Sequence, residues 1–513
     1  MQFRDEDEFE DRGEGAETKE HFLKIVKDKV FYVLYRLLST KFVVPLHYQL
    51  LLILIETFQL MTFALVNRQY STMGPFQDQD PWNSAQTSWL IDVCWAFRVD
   101  RYLLFSDQGM ILALTLWVSL PIATAGLMGV LVFLQATTPT TLFLLKAVKV
   151  LIPLLTNLLF IPSIGTYARA AKCSISDTCD DLPTGYLYTT WAICCSAVYL
   201  AFTGGVTLLY NETSMSSGNL SAKPHPRFKL LRLISYTIII YAYYFSSGSS
   251  GSPIYLTIAL AVGLITCYVY AQYVPYYHLK VSKARLASQV WFTSAIFCLI
   301  VGAIFSSTDR NNSSISMLLY FLTPCLLQIM QLALERRGKI LRKAKMQQLT
   351  NPYQVELKAR MLLLNFDLEK SKSHKYYGEE EIGEDLLKKQ TETYEEVETL
   401  FRESFKKFPN SEFLYLWSGL FQLHRNGKFI LALVQCFKGL HIANKFDSQF
   451  ALYSFRRTAE TIYKANMKDD AYDYVIFEKV HSTAQKHDEM ATRAQFYFWS
   501  ELESNSPKIQ RLT

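Results

Sequence analysis

One carboxylate stands where a carboxylate is costly. Glu56 lies near the middle of an apolar run from Val43 to Val66. A charge at that depth in a bilayer costs about 2.5 to 3.5 kcal/mol on insertion scales, so it needs a partner or a task. Two kinds of chemistry are open to it. It can handle a proton or an ion, or it can pair with Lys146 or Lys149, which lie near the start of the third apolar run. The structural alternative is a protonated carboxyl bonded to another helix, for example through Gln328 or Gln331.

The other reactive residue types form no constellation of this kind. Cys173 and Cys179 flank the short polar stretch Ser174 to Thr178 on the expected non-cytosolic side, where they either pair in a local disulfide or stay two unlinked thiols. The nine cysteines include no Cys-x-x-Cys pair, so metal clusters are unsupported. There is no phosphate loop, no His-Glu-x-x-His pair and no Gly-x-Ser-x-Gly elbow. Neither an enzyme, nor a cofactor, nor a nucleic-acid partner is expected. The basic cluster Arg336, Arg337, Lys339, Arg342, Lys343 and Lys345 follows the last apolar run, where anionic lipid headgroups attract such residues.

These residues need elements to hold them, and the composition says which. Half of the 513 residues are hydrophobic, 14% are aromatic and only 19% are charged. That balance fits lipid as the solvent for much of the chain. Eight runs approach the length needed to cross a hydrocarbon core. They are Val43 to Val66, Gly109 to Leu134, Leu142 to Ile164, Tyr186 to Tyr210, Leu230 to Phe245, Pro253 to Val274, Ser288 to Phe305 and Ile315 to Leu334. They are continuously apolar rather than alternating, which predicts helices and not a β-barrel. Pro153 and Pro162 interrupt the third, and Arg232 sits near one end of the fifth.

Lys and Arg concentrate before the first run, between runs four and five, between six and seven, and after the eighth. That bias predicts both termini in the cytosol, with the plasma membrane as the default location. Glycans at the sequons Asn211 or Asn219 would invert this topology. The long connection Asn67 to Asp107 is aromatic-rich, with Trp82, Trp89 and Trp95, and reads as an interfacial segment.

Four parts follow: a cytosolic tail and amphipathic lead-in over 1–42, a transmembrane domain over 43–334, a basic juxtamembrane helix over 335–351, and an all-helical module over 352–513. In the module, Tyr353 to Phe366 is helical in pattern, and Glu369 to Asp385 reads as a charged break. Leu386 to Phe408 carries Val397, Leu400, Phe401, Phe405 and Phe408 on one face. Glu412 to His424 turns Phe413, Leu416, Trp417, Leu420 and Phe421 inward. Lys428 to Asn444 presents Ile430, Leu433, Val434, Phe437 and Leu440. The positions of Val397, Phe401 and Phe405 recur about 35 residues on as Ala432, Cys436 and Leu440, a spacing typical of helix-pair repeats. The expected fold class is therefore all-α, a polytopic bundle of about eight spans followed by a cytosolic TPR-like repeat module.

Several stretches carry a family resemblance. Asn351-Pro352 to Arg360, Tyr394-Glu395-Glu396-Val397, Phe405 to Ser411 and Asp447-Ser448-Gln449-Phe450 look like the repeat domain of the tiny-macrocyst B and C proteins. Those are multi-pass membrane proteins of amoebae and ciliates. Pro275-Tyr276-Tyr277 and Leu334-Glu335-Arg336-Arg337 fit the same layout. The resemblance covers most of the chain and carries no catalytic signature. Family members are commonly longer and continue into sensor domains of the PAS type, so a short or truncated member is expected here.

Two functions remain open. The first is a membrane-anchored signalling or sensory scaffold that binds an unknown cytosolic protein through residues 352–513. The second is an ion or solute transporter or channel that uses Glu56. The oligomeric state is left open.

Overall fold

The computed structural model describes residues 25–39, 45–65, 107–133, 139–176, 186–213, 219–246, 253–306, 323–377, 383–466, 487–488, 490–495 and 497. These residues form helices and connecting turns, with no strand among them. Helix α1 covers residues 25–39 and α2 Leu46–Leu65. They are followed by α3 (Asp107–Phe133), α4 (Pro139–Pro153) and α5 (Phe160–Ser176). Next come α6 (Tyr186–Leu209), α7 (Arg227–Phe245), α8 (Pro253–Tyr273) and α9 (Leu279–Ser306). After them come α10 (Thr323–Lys343), α11 (Pro352–Tyr377), α12 (Gly383–Lys407), α13 (Glu412–His424), α14 (Phe429–Ile442) and α15 (Phe446–Asn466).

Among the described residues, six helices are long and apolar enough to cross a membrane: α2, α3, α6, α7, α8 and α9. A seventh crossing results if α4 and α5, bent by 58° about their junction, count as one span. The eighth expected run is described only from Thr323 onward. There it is α10, which turns strongly basic and is not among the candidate spans.

The polarity of the bundle explains why lipid suits it. Glu56, Thr57, Gln59, Thr62, Thr156, Ser163, Thr166 and Thr203 are buried inside. Leu51, Leu54, Leu116, Ile122, Ile234, Ile238, Leu264 and Ile265 face outward. Water would reward the reverse arrangement. Most of the buried hydroxyls are satisfied within their own helix, as where Thr166 donates to Pro162 O and Thr203 to Tyr199 O.

The broken span has an identifiable cause. Between α4 and α5 the chain makes one π-helical turn, Leu154–Leu158, closed by Leu159 N donating to Leu154 O at 2.9 Å. Pro162 has no N–H to continue the α ladder, so the helix cannot pass through unbent. Tyr199 Oη donates to Leu155 O at 2.9 Å and satisfies one carbonyl of the turn.

The chain divides into two compact units, Met1–Phe455 and Arg456–Thr513. In the second, Glu460 accepts from Arg456 at 2.7 Å and from Arg457 at 3.1 Å. In the first, α13 and α14 pack as a helical hairpin, and α12 packs against α13. Gly427, with φ +65°, makes the left-handed turn between α13 and α14. Phe413, Leu416, Trp417, Leu420 and Phe421 are buried as the pattern predicts. On α14 the pattern misleads: Leu433 is buried, but Ile430 and Val434 point outward and Ala432, Cys436 and Gly439 take the inner face. The charged break expected from Glu369 is helical as far as Tyr377.

Candidate functional site

Glu56 meets arginines, not lysines or glutamines. Its carboxylate accepts from the Arg285 guanidinium of α9 and lies 3.4 Å from Arg232 Nη1 of α7. The three side chains are 3%, 3% and 1% exposed, so the pairs are shielded from water. Lys146 is exposed on α4, and Lys149 is half-buried there and acts with Glu212. Gln328 is exposed and Gln331 is half-buried on α10. The pairings expected for Glu56 thus give way to a carboxylate clamped by two guanidiniums. Cys173 and Cys179, with the segment 66–106, lie outside the described side chains.

The broken span supplies a platform for the cations. Arg232 Nη2 donates to Asn157 Oδ1 at 3.1 Å, and Lys229 Nζ donates to Thr156 Oγ1 at 2.7 Å. Both acceptors belong to the π-helical turn. Lys229 and Arg232 are three residues apart on α7 and share a face. Thr57 donates to Ser288 Oγ at 2.7 Å, and Gln289 donates to Tyr236 Oη at 2.7 Å. These bonds pin α2, α7 and α9 at one level.

Lys223 extends the positive group beyond the start of α7. It is 4% exposed. Burial first, then the positive charges of Lys229, Arg232 and Arg285, hold its ammonium well below the ordinary lysine range.

The helical module is seated on the same end of the bundle. Arg360 of α11 is fully buried. Its Nη1 donates to Val274 O at 2.7 Å and Tyr276 O at 2.8 Å, just past the C-terminus of α8. Its Nη2 donates to Glu356 Oε2 at 3.1 Å. A guanidinium at a helix C-terminus meets carbonyls with no intrahelical donor, so geometry and dipole both favour it. Val274 has φ +42°, a conformation costly for a β-branched residue by about 1–3 kcal/mol, and the Arg360 bonds hold it there. Burial raises the Glu356 carboxyl above its ordinary range although Arg360 opposes the shift.

Tyr276 belongs to both places. Its carbonyl receives Arg360, while its phenol lies within electrostatic reach of Arg232 and Arg285. Ser282 Oγ, in the first turn of α9, bridges the Tyr276 backbone. Further contacts seat the module: Trp417 Nε1 donates to Pro224 O at 3.2 Å, and Arg227 lies 3.5 Å from Asp447. The His225 ring lies 4.1 Å from that of Phe413 and 5.3 Å from that of Tyr353. Burial, with Arg227, Lys223 and Lys445, pushes the His225 imidazole down to about 3. Helix α1 joins in, with Phe31 packed on Phe446 and Phe450 and Lys27 donating to Gln449 Oε1.

Of the basic juxtamembrane residues, Arg337 donates to Gln272 O and Arg342 to Asn365 Oδ1. Those two serve the protein interior. Arg336, Lys339, Lys343 and Lys345 are exposed.

Asn211 is 8% exposed and donates to Lys223 O, so the folded chain offers no access for a glycan at that sequon. Arg232 and Arg285, which the apolar pattern leaves as end charges, are the functional residues it misses. A signal existed, since one buried carboxylate needs cations at its own depth, and only a few spans carry arginine.

No family model, no curated protein and no solved structure matches this chain.

Proposed function

We propose that this protein is a membrane-anchored signalling scaffold whose helical module reports the state of the bundle beneath it. One observation carries the reading: Tyr276 is shared between the Glu56–Arg232–Arg285 cluster and the Arg360 anchor of the module. A change in the cluster therefore has a direct route to the seat of α11 through Tyr276. The module lies on the cytosolic side, stacks helix pairs in a TPR-like manner and binds a protein partner through its outer face. Ile430 and Val434, four residues apart on α14, are 71% and 38% exposed and offer that face an apolar contact.

The test is a crosslinking capture from native membranes with the full-length chain. Ile430→Lys with Val434→Glu should abolish a specific adduct without disturbing the fold. An adduct indifferent to both substitutions would refute binding by that face.

A transporter is the second reading, favoured by the broken span whose Thr156 and Asn157 bind the cluster cations. Solute flux in proteoliposomes that disappears in Glu56→Gln would favour it over the scaffold.

A further inference from the structure

The Glu56 cluster does not balance. Arg285, Arg232 and Lys229 gather about one carboxylate, and Lys223 lies beside these basic groups. The two guanidiniums alone exceed the carboxylate by one positive charge in a place largely closed to water, and each lysine that carries its proton adds one more. Buried charge without a counter-charge is among the costliest arrangements a protein can hold. The ammonium of Lys223 is held down by burial first and then by its positive neighbours.

The hydrogen bonds do not balance either. Arg232 Nε and Nη1, Arg285 Nε and Tyr270 Oη are buried and meet no hydrogen-bond acceptor within the protein. Arg232, Arg285 and Tyr270 are each at least 98% buried. Glu56 attracts Arg232 Nη1 at 3.4 Å without making a hydrogen bond to it. Native proteins rarely leave buried donors idle, and several idle donors on neighbouring cations point to an absent acceptor. Water could accept the bonds but could not offset the charge.

We propose that this cluster binds a phosphate-type oxyanion, either free or as a lipid headgroup. The charge of such an anion, near −2, lies within the one to three positive charges by which the basic groups exceed Glu56. Its several oxygens accept from guanidinium and ammonium donors arriving from different helices. A halide would offset only one charge and lacks the planar match to guanidinium. Lys229 is half-buried in the first turn of α7, so the cluster reaches the surface beside the connection 219–226. Glu56 then competes with the ligand for Arg232 and Arg285. That competition makes the site a reversible one. It stands whether or not the module binds a protein partner.

The experiment is equilibrium dialysis of the purified full-length chain, in a sugar-based detergent free of phosphate, against radiolabelled inorganic phosphate. Saturable binding is expected. Lys229→Gln and Lys223→Gln should each weaken it by about tenfold, and Glu56→Gln should tighten it by a similar factor because the internal competitor is gone. The exposed Lys280→Gln should leave it unchanged. Sulfate should compete, and chloride at the same ionic strength should not. A second arm offers short-chain phosphatidic acid instead of inorganic phosphate. Binding in that arm alone, with the same opposed responses, assigns the oxyanion to a lipid. The proposal is overturned if neither probe binds. It is equally overturned if Lys229→Gln and Lys223→Gln leave binding unaltered, or if a folded Glu56→Gln weakens it.

Discussion

Arg285 of α9 donates to the carboxylate of Glu56 in α2, and both side chains are almost wholly buried. Removing one partner of such a pair costs more than the pair contributes, because the survivor is left charged and dry. Glu56→Gln should therefore lower the midpoint of thermal unfolding in detergent, with a loss of about 3–5 kcal/mol. Glu56→Met combined with Arg285→Met should cost less than the two single changes added together. Thermal scans of the three variants check the ordering, and strict additivity would deny the coupling.

Arg360→Ala removes donors from Val274 O, Tyr276 O and Glu356 in one step. The expected cost is about 3 kcal/mol, concentrated in the seating of the module. Limited proteolysis should then cut near α11, while the bundle stays folded. Arg360→Ala with Glu356→Gln should regain part of the loss, since the stranded carboxylate disappears.

His225 predicts how the seat responds to acid. Its imidazole is held down to about 3, against an ordinary 6.5, so between those values the unfolded chain binds the proton and the folded chain does not. Stability from this residue is complete above pH 6.5 and drains away as the pH falls toward 3. His225→Phe keeps a ring against Phe413 and Tyr353 and should flatten the acid limb of a stability profile. An acid limb that survives this change would trace to other groups.

Gly419 leaves no room for a methyl group. A Cβ there would lie 2.7 Å from the Phe455 ring, whose position is fixed by full burial. Gly419→Ala should destabilise the hairpin of α13 and α14 by about 1–3 kcal/mol, read by hydrogen exchange across both helices.

Much of this architecture is legible in the residues. The runs around Leu50 to Ile55 and Ala259 to Cys267 specify helices in lipid because they are apolar on every side. Phe413, Trp417 and Phe421 specify a buried face by their 3–4 spacing. On α14 the same rule fails, because the inner face needs small residues where helices approach closely. Ala432, Cys436 and Gly439 fill it, and Ile430 and Val434 are left outside. The site itself is half legible. Glu56 stands out as a buried charge, but its partners come from residues 176 and 229 positions further on, where Arg232 and Arg285 read as ordinary end charges. The interruption of the third run follows visibly from Pro153 and Pro162, whereas the π-helical turn Leu154–Leu158 and its use as a platform for cations depend on packing that no local pattern encodes.

The most direct test of the coupling between cluster and module is hydrogen exchange on full-length Glu56→Gln in nanodiscs, compared with the unmodified chain. Exchange should rise at residues 274–277 and along α11, well away from the substituted position. Faster exchange confined to α2, α7 and α9, with α11 and its Arg360 anchor unchanged, would contradict the account.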